Sequence, residues 1–347
     1  MIPLRYRQSV LKTAILMAVL LLGACDFNEA PAVQHFYGRA LGTSYNVRFV
    51  GQESDVRSLQ SGTDTALEAV NQSMSTYIDD SELNQFNDAV GAEWFDISNA
   101  LGEVLAISQS VAERSNGAFD ITVGPLVDLW GFGPKARREQ VPDPRLLQAV
   151  LADVGYQGIV LDLHEGAYRV KKLQPRRIDL SAVAKGYAVD KIAEYLMAQG
   201  FTDFLVEVGG EMRLSGLKPD GQAWNVAVET PESGARGVYK IIPLSGVSIA
   251  TSGDYRNYFE IDGTRYSHTI DPANGYPIRH HLASVTVITA SSGEADAWAT
   301  AMMVMGPDKA ITVAEKEQLA VLLIEKKGTE FVEHTSSAFN RLVLQEQ

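Results

Sequence analysis

The side chains best suited to chemistry in this chain gather between Thr251 and Pro277, in TSGDYRNYFEIDGTRYSHTIDPANGYP. Thr251, Ser252, Asp254, Arg256, Asn257, Ser267, His268, Thr269 and Asp271 alternate there with Tyr255, Tyr258, Phe259 and Tyr266. Hydroxyls, carboxylates, a guanidinium and an imidazole among aromatic rings suit a ligand with a flat ring and a charged, oxygen-rich part. They equally suit the solvated face of an exposed hairpin. Asp262 and Gly263 supply the positive φ of a tight type I′ turn, which predicts a hairpin with arms at Tyr258 to Ile261 and Arg265 to Ile270. His268 lies in the second arm and is the candidate general base, because its ordinary pKa lies near working pH. Bonding the ligand without moving a proton is its other reading.

Three further clusters widen the chemistry. Asp296 and Thr300 stand four residues apart in a helix predicted from Ser292 to Met305, so a carboxylate and a hydroxyl share one face, oxygen ligands of the kind that suit Mg²⁺ or Ca²⁺ and equally the make-up of a solvated face. Ala297, Trp298, Ala301, Met302, Met303 and Val304 make that helix apolar almost all round, so Asp296 is expected to be semi-buried beside a cation. Ser291 and Glu294 predict a capping box at its start. In IDLSAVAKGYAVD, Ile178 to Asp190, a strand runs into a helix that Asp179 or Ser181 could cap, leaving amides for an anion that Lys185 would meet one turn in. GAFDITVGPLVDLWGFGP, Gly117 to Pro134, brings Phe119, Asp120, Trp130 and Phe132 into shaped, glycine-rich loops.

Several chemistries are excluded. Gly131 and Gly133 lack the context and third glycine of a dinucleotide fingerprint, and neither a GxxxxGK phosphate loop nor a GxSxG elbow occurs. No two histidines have the spacing of a zinc helix. The single cysteine, Cys25, excludes disulfides within the chain and cysteine-based metal sites.

The elements that must position these residues follow from periodicity. Helices are expected at Val56 to Met74, Ser81 to Phe86, Ser98 to Ser115, Asp143 to Val154, Ala182 to Gly200, Ser292 to Met305 and Pro307 to Lys316. Strands are expected within His35 to Val50 and at Gly158 to Leu163, Ala167 to Lys171, Arg177 to Leu180, Phe204 to Val208, Trp224 to Glu229, Val238 to Pro243, Val247 to Ala250, Ala283 to Thr289, Leu319 to Glu325 and near Phe331. Strands come in runs rather than alternating with helices, which favours an α+β fold over a doubly wound sheet. The loop from Gly131 to Pro142, with Lys135, Arg137 and Arg138, is the most basic segment.

The N-terminus reads as a signal. Arg5, Arg7 and Lys12 precede an apolar run from Ala14 to Leu22, too short for the roughly 20 residues of a membrane span. Leu22 to Cys25, LGAC, resembles a bacterial lipobox, which predicts cleavage after residue 24 and lipid on Cys25. Asp26 resembles an inner-membrane retention signal, so a periplasm-facing protein tethered to that membrane is expected. Residues 25 to 34 form the tether and 35 to 347 the functional domain. The formal charge of −13, more negative still once the signal's cations are removed, argues against nucleic acid as a partner. With 46% hydrophobic and 21% charged residues, the chain is normally globular and long enough for a sizeable core.

These stretches together resemble the ApbE family of FAD:protein FMN transferases. The matches are LGTSY at Leu41 to Tyr45, MSTY at Met74 to Tyr77 followed by SELNQFN, GAFDITVGPLVDLWGFGP, IDLSAVAKGYAVD, VEVGGE at Val206 to Glu211, TSGDYRNYF with YSHTIDP, and ADAWATAM at Ala295 to Met302. The resemblance implies a single large α+β domain with antiparallel and mixed sheets and packed helices. It also implies FAD as donor, Mg²⁺ as cofactor, with Ca²⁺ the alternative that the departure at Ala299 leaves open, and transfer of FMN through a phosphoester to a threonine or serine hydroxyl of a partner protein with release of AMP. Carried over by position, the flavin site comprises Leu41, Tyr77, Ala118, Phe119, Asp120, Asp179, Lys185 and Ile270, and the metal ligands are Ala182, Asp296 and Thr300. Lys185 would also act catalytically beside His268. The chain departs from the pattern at Ala299, where some relatives carry a second aspartate, and at Leu41, where methionine is usual. The implied partners are flavin-acceptor subunits of membrane redox complexes. An FAD pyrophosphatase and a non-catalytic flavin-binding lipoprotein are the alternatives. AMP release separates the enzymes from the binder, and covalent flavin on an acceptor separates transferase from hydrolase.

Overall fold

The computed structural model describes residues 30–133, 140–232, 237–254 and 257–345. The signal and Cys25, the basic Lys135, Arg137 and Arg138, and Tyr255 and Arg256 lie outside them.

The chain opens with strands β1 (Ala32–Ala40) and β2 (Thr43–Gly51), then helices α1 (Val56–Met74) and α2 (Glu82–Asp88), strand β3 (Phe95–Ile97) and helix α3 (Asn99–Arg114). Two short helices follow, α4 (Gly124–Leu129) and α5 (Pro144–Leu151), then β4 (Ile159–His164), β5 (Ala167–Lys172) and α6 (Ala184–Ala198). Next come β6 (Phe204–Val208), β7 (Glu211–Ser215), β8 (Trp224–Glu229), β9 (Val238–Leu244), β10 (Val247–Gly253), and the hairpin β11 (Tyr258–Ile261) and β12 (Thr264–Ser267). The chain continues through β13 (Leu282–Thr289), α7 (Ser292–Met305), α8 (Pro307–Lys316), β14 (Ala320–Lys327), β15 (Glu330–Thr335) and α9 (Ser337–Gln345).

An eight-stranded sheet of order β1-β2-β6-β7-β10-β13-β14-β15 carries the architecture, and its pairings are antiparallel. Strand alternation sends Val285, Val287, Val321 and Leu323 to a core shared with α1, α3, α6, α7 and α8, whereas Ile288, Leu322 and Ile324 meet the β8–β9 hairpin and Phe339 of α9 on the other face. Both faces are covered, so β13 is buried along almost its whole length. A third cluster stands apart from these two: Trp130 stacks on Tyr266 at 5.4 Å, Phe132 on Phe259 at 5.3 Å, and Leu126 and Leu147 complete it. It ties the β11–β12 hairpin to α4 and α5. The α+β expectation is borne out.

The local expectations hold where caps and periodicity are strong. Ser98 and Asp143 cap α3 and α5 through side-chain oxygens, and Asp262 and Gly263 take φ of 50° and 74°, as a type I′ turn requires. Other expectations are corrected. Arg177 to Leu180 is not a strand, because the Ile178 peptide is bonded by the side chain of Asn87 and the Asp179 amide by the carbonyl of Ile121. The second hairpin arm ends at Ser267: the His268 amide still bonds the Asn257 carbonyl in register, but beyond it the Thr269 amide bonds Ser267 Oγ, the Thr269 carbonyl accepts from Ile278, and Ile270 makes only an isolated bridge with Pro277. Strand β1 starts at Ala32, inside the expected tether, because its pairing continues to Ala32 opposite Gly51.

The start of α7 is capped differently from the expected box. Ser291 Oγ accepts from the Glu294 amide at 3.3 Å, but the Glu294 carboxylate bonds Arg114 instead of returning to the cap. Asp190 of α6 takes its place, accepting from Ser291 Oγ at 2.8 Å and from the amides of Ser292 and Gly293 at 3.0 Å each. Gly186 allows this close approach: a Cβ there would sit 2.2 Å from the Ser292 carbonyl oxygen. Helices α6 and α7 are thus locked together at the end where the candidate chemistry lies.

Candidate active site

A cavity of about 450 Å³ opens where the hairpin cluster faces the α6–α7 pair. Of the residues singled out from sequence, Tyr77, Ala118, Phe119, Asp120, Asp179, Ala182, Lys185, His268, Ile270, Asp296 and Thr300 all line it. Leu41 does not. It occupies the β1–β2 turn at φ 52° and packs half-buried on the main core, two residues from Thr43, which abuts Gly209 of the cavity wall. Ala299 also faces away, fully buried in that core.

The floor is a cluster of three ionisable side chains, Lys185, Glu211 and Asp296. The ammonium of Lys185 lies 3.2 Å from Glu211 Oε1 and 3.4 Å from Asp296 Oδ2. Asp296 Oδ2 also accepts from the Gly186 amide at 3.1 Å, so a carboxylate of the protein itself occupies the start of α6. Neither Asp179 nor Ser181 caps that helix, which follows a turn at Ser181 to Val183; Asp179 instead accepts from the Ser181 amide at 2.8 Å. Burial alone would favour a neutral amine at Lys185, but Asp296 and Glu211 outweigh it and hold the ammonium above its usual value. Burial lifts Glu211 well above the ordinary carboxylate range, against the pull of Lys185, and Asp296 adds to the rise.

Glu211 receives no role from sequence reasoning, although it closes the VEVGGE stretch. The signal is the Gly209-Gly210 pair after a buried strand. With φ of 62° and 108° these residues turn β6 directly into β7, so the next side chain returns to the cavity floor. Thr251 and Ser252, at the end of β10, line the cavity as well.

The folded protein retains Glu211's proton at pH values where an unfolded chain has released it. Stability therefore falls as pH rises above the ordinary carboxylate range. Glu211→Gln is expected to remove that decline, so its denaturation midpoint overtakes the wild type's at pH 8 relative to pH 5. Parallel profiles would show that Glu211 ionises normally.

The other wall carries His268. Its Nδ1 lies 3.0 Å from the Asn257 carbonyl oxygen, which can only accept, so Nδ1 holds the proton and Nε2 keeps a free lone pair in the neutral ring. Burial, and to a lesser degree the charge of Lys185, keep His268 below its usual value although the bond to Asn257 pulls the other way. The neutral form therefore dominates at pH 7. Asp120 plays a more structural part than a binding one: Thr122 donates to one carboxylate oxygen through its amide and hydroxyl, at 2.8 and 2.6 Å, and the Tyr156 amide donates to the other at 2.8 Å. Tyr77 stands 70% exposed at the mouth, a flat surface free to meet a ring.

The donors fit a hard divalent cation. Asp296 and Thr300 share the predicted helix face, the Thr300 hydroxyl lies 3.3 Å from Ser252 Oγ, and the buried Oε2 of Glu211 has no hydrogen-bond partner. Among the described residues no group of three His, Cys, Asp or Glu side chains forms a metal site. A cation here would instead draw on mixed carboxylate, hydroxyl and carbonyl oxygens, the set that Mg²⁺ and Ca²⁺ accept.

An α+β sheet protein in which a buried acid–lysine–acid cluster and a histidine line one aromatic-edged cleft has the make-up of a ligand-binding or catalytic site. More narrowly, the chain belongs to the ApbE family, whose model matches residues 41–323. It is 45% identical over 327 residues to the FAD:protein FMN transferase of Vibrio cholerae serotype O1, covering 93% of this chain and 96% of that one. With the FAD:protein FMN transferase of Escherichia coli K12 the identity is 38% over 347 residues, 98% and 99% of the two chains. Among solved structures, the flavin transferase ApbE from Vibrio cholerae superposes with a TM-score of 0.82 at 41% identity, over 90% of this chain and 99% of that one. The Pseudomonas stutzeri flavinyl transferase ApbE, apo form, gives 0.83 at 38%, over 91% and 98%.

Proposed function

We propose that this chain transfers FMN from FAD to a threonine or serine hydroxyl of a partner protein, forming a phosphoester and releasing AMP. The observation that carries the reading is that the Lys185, Glu211 and Asp296 cluster and His268 line one cavity, in a chain that matches its named relatives over nearly their full length. The acceptor oxygen attacks the phosphorus on the FMN side of the pyrophosphate, the bond from that phosphorus to the bridging oxygen breaks, and AMP carries the bridge away. His268 takes the hydroxyl proton at Nε2. Lys185 offsets charge that builds on the phosphate oxygens, and its two carboxylate partners fix where the ammonium points. Tyr77, Phe119 and Ile270 provide apolar surface for the ring system, and Asp179 a polar edge.

Asp296, Thr300 and the carbonyl of Ala182 would hold Mg²⁺ or Ca²⁺, with Glu211 Oε2 beside them. Bound there, the cation supplies Lewis-acid neutralisation of the pyrophosphate. The acceptors are proposed to be periplasm-facing subunits of membrane redox complexes. Lipid on Cys25 would keep the enzyme at the inner membrane and raise its effective concentration toward them. Incubation with FAD, Mg²⁺ and a candidate acceptor domain tests the reading. The expected outcome is flavin fluorescence that stays with the denatured acceptor, and AMP in equal amount. AMP with free FMN and no labelled acceptor would make the protein a pyrophosphatase. FAD recovered intact would make it a binder.

A further inference from the structure

None of the side chains of SELNQFN, Ser81 to Asn87, lines the cavity, yet two of them are buried amides with unusual partners. Asn84, 7% exposed, sends Nδ2 to the carbonyls of Thr76 at 3.2 Å and Ile78 at 2.9 Å, the residues on either side of Tyr77. Asn87, 6% exposed, donates Nδ2 to the Ile178 carbonyl at 2.9 Å and accepts from the Ile178 amide at 2.8 Å. Its carboxamide thereby acts as a strand partner for the peptide just before Asp179. The helix that carries both is gripped at each end. Ser81 Oγ accepts from the Asn84 amide at the start and donates to the Ser75 carbonyl at 2.7 Å. At the finish the buried ammonium of Lys172 donates to the carbonyls of Phe86, Asn87 and Ala89 at 2.9, 3.1 and 2.7 Å, a cation at the end where helix carbonyls gather.

We propose that Asn84 and Asn87 are positioning residues that set two opposed pieces of the flavin entrance from one rigid helix, Asn84 through the Tyr77 loop and Asn87 through the segment bearing Asp179. This rests on the flavin-transfer reading. The physical reason is that Tyr77 is largely exposed and that Asp179, though its amide bonds the Ile121 carbonyl, lies on a segment outside any strand, so each is held by a few specific bonds rather than by a ladder. A buried amide is costly to leave unpaired, so each asparagine has a single low-energy arrangement and imposes it on its loop. The spacing of three residues puts both amides on one side of α2, so the two pieces move together.

Two measurements on the mature protein test this. Hydrogen exchange needs no ligand: Asn84→Ala should speed exchange at Tyr77 and Ser81 but not at Ile178, and Asn87→Ala should do the reverse. A rise across the whole chain, or none at either place, overturns the proposal. Flavin fluorescence then gives the FAD affinity. Asn84→Ala is expected to weaken FAD about tenfold in the native background but less than about twofold beside Tyr77→Ala, the coupling expected of residues in one network. KM should rise with kcat at saturating FAD almost unchanged. Additive losses in the double variant would mean that Asn84 only stabilises the fold. If the unsubstituted protein fails to bind FAD, the flavin reading falls, while hydrogen exchange still decides whether the two asparagines hold these loops.

Discussion

Asp296→Ala is expected to lower FMN transfer about a thousandfold or more, the upper range for removing one preorganised electrostatic group from a reaction centre. Two losses combine in that figure. The variant lacks the one carboxylate proposed to hold the cation, and it frees the Gly186 amide and Lys185, which Asp296 engages at 3.1 and 3.4 Å. With Glu211 as its sole remaining carboxylate partner, the ammonium should swing toward β7 and away from the phosphates. Asp296→Asn keeps the acceptor for Gly186 but not the charge, so it should fold normally and remain slow. The measurement is single-turnover transfer across a Mg²⁺ titration. Full activity of Asp296→Ala in the presence of chelator would remove both the carboxylate and the cation from the reaction.

His268→Asn should slow transfer by roughly 10²- to 10⁴-fold, the usual contribution of a general base. FAD should still bind, because the asparagine amide can donate to the Asn257 carbonyl as Nδ1 does now. The pH profile carries the sign. Since His268 is held below its usual value, its neutral, proton-accepting form persists at pH 7, and wild-type turnover should fall only at pH values below about 6.5. The variant's residual rate should be flat across that window. A wild-type profile without an acid limb, or a variant with unchanged turnover, would leave His268 a ligand contact and no more.

Helices α1, α3, α7 and α8 were legible because their information is local: apolar spacing, a serine cap, a proline at the first turn. The helix face shared by Asp296 and Thr300 was legible for the same reason, since four residues always return to one side of a helix. Helix α9 went unread although Phe339, Leu342 and Val343 have helical spacing, for its apolar side gains meaning only against the face of the sheet it covers. The Arg177 to Leu180 segment misleads in the opposite way. It has the alternation of a strand, and only the fold reveals that its partner is the side chain of Asn87, 91 residues away.

By itself the sequence determined which residue types were available, which local elements would carry them, and that the whole resembles the ApbE family. The tertiary structure alone decided that Glu211 joins Lys185 and Asp296, that Asp190 caps α7, and that the hairpin's histidine lines the same cavity as that cluster. Helical and strand periodicities fix only which side of an element a residue takes. Partners from separate elements meet only through packing, here where Gly186 lets α6 and α7 touch and where the glycine turn at 209–210 brings Glu211 back to their side.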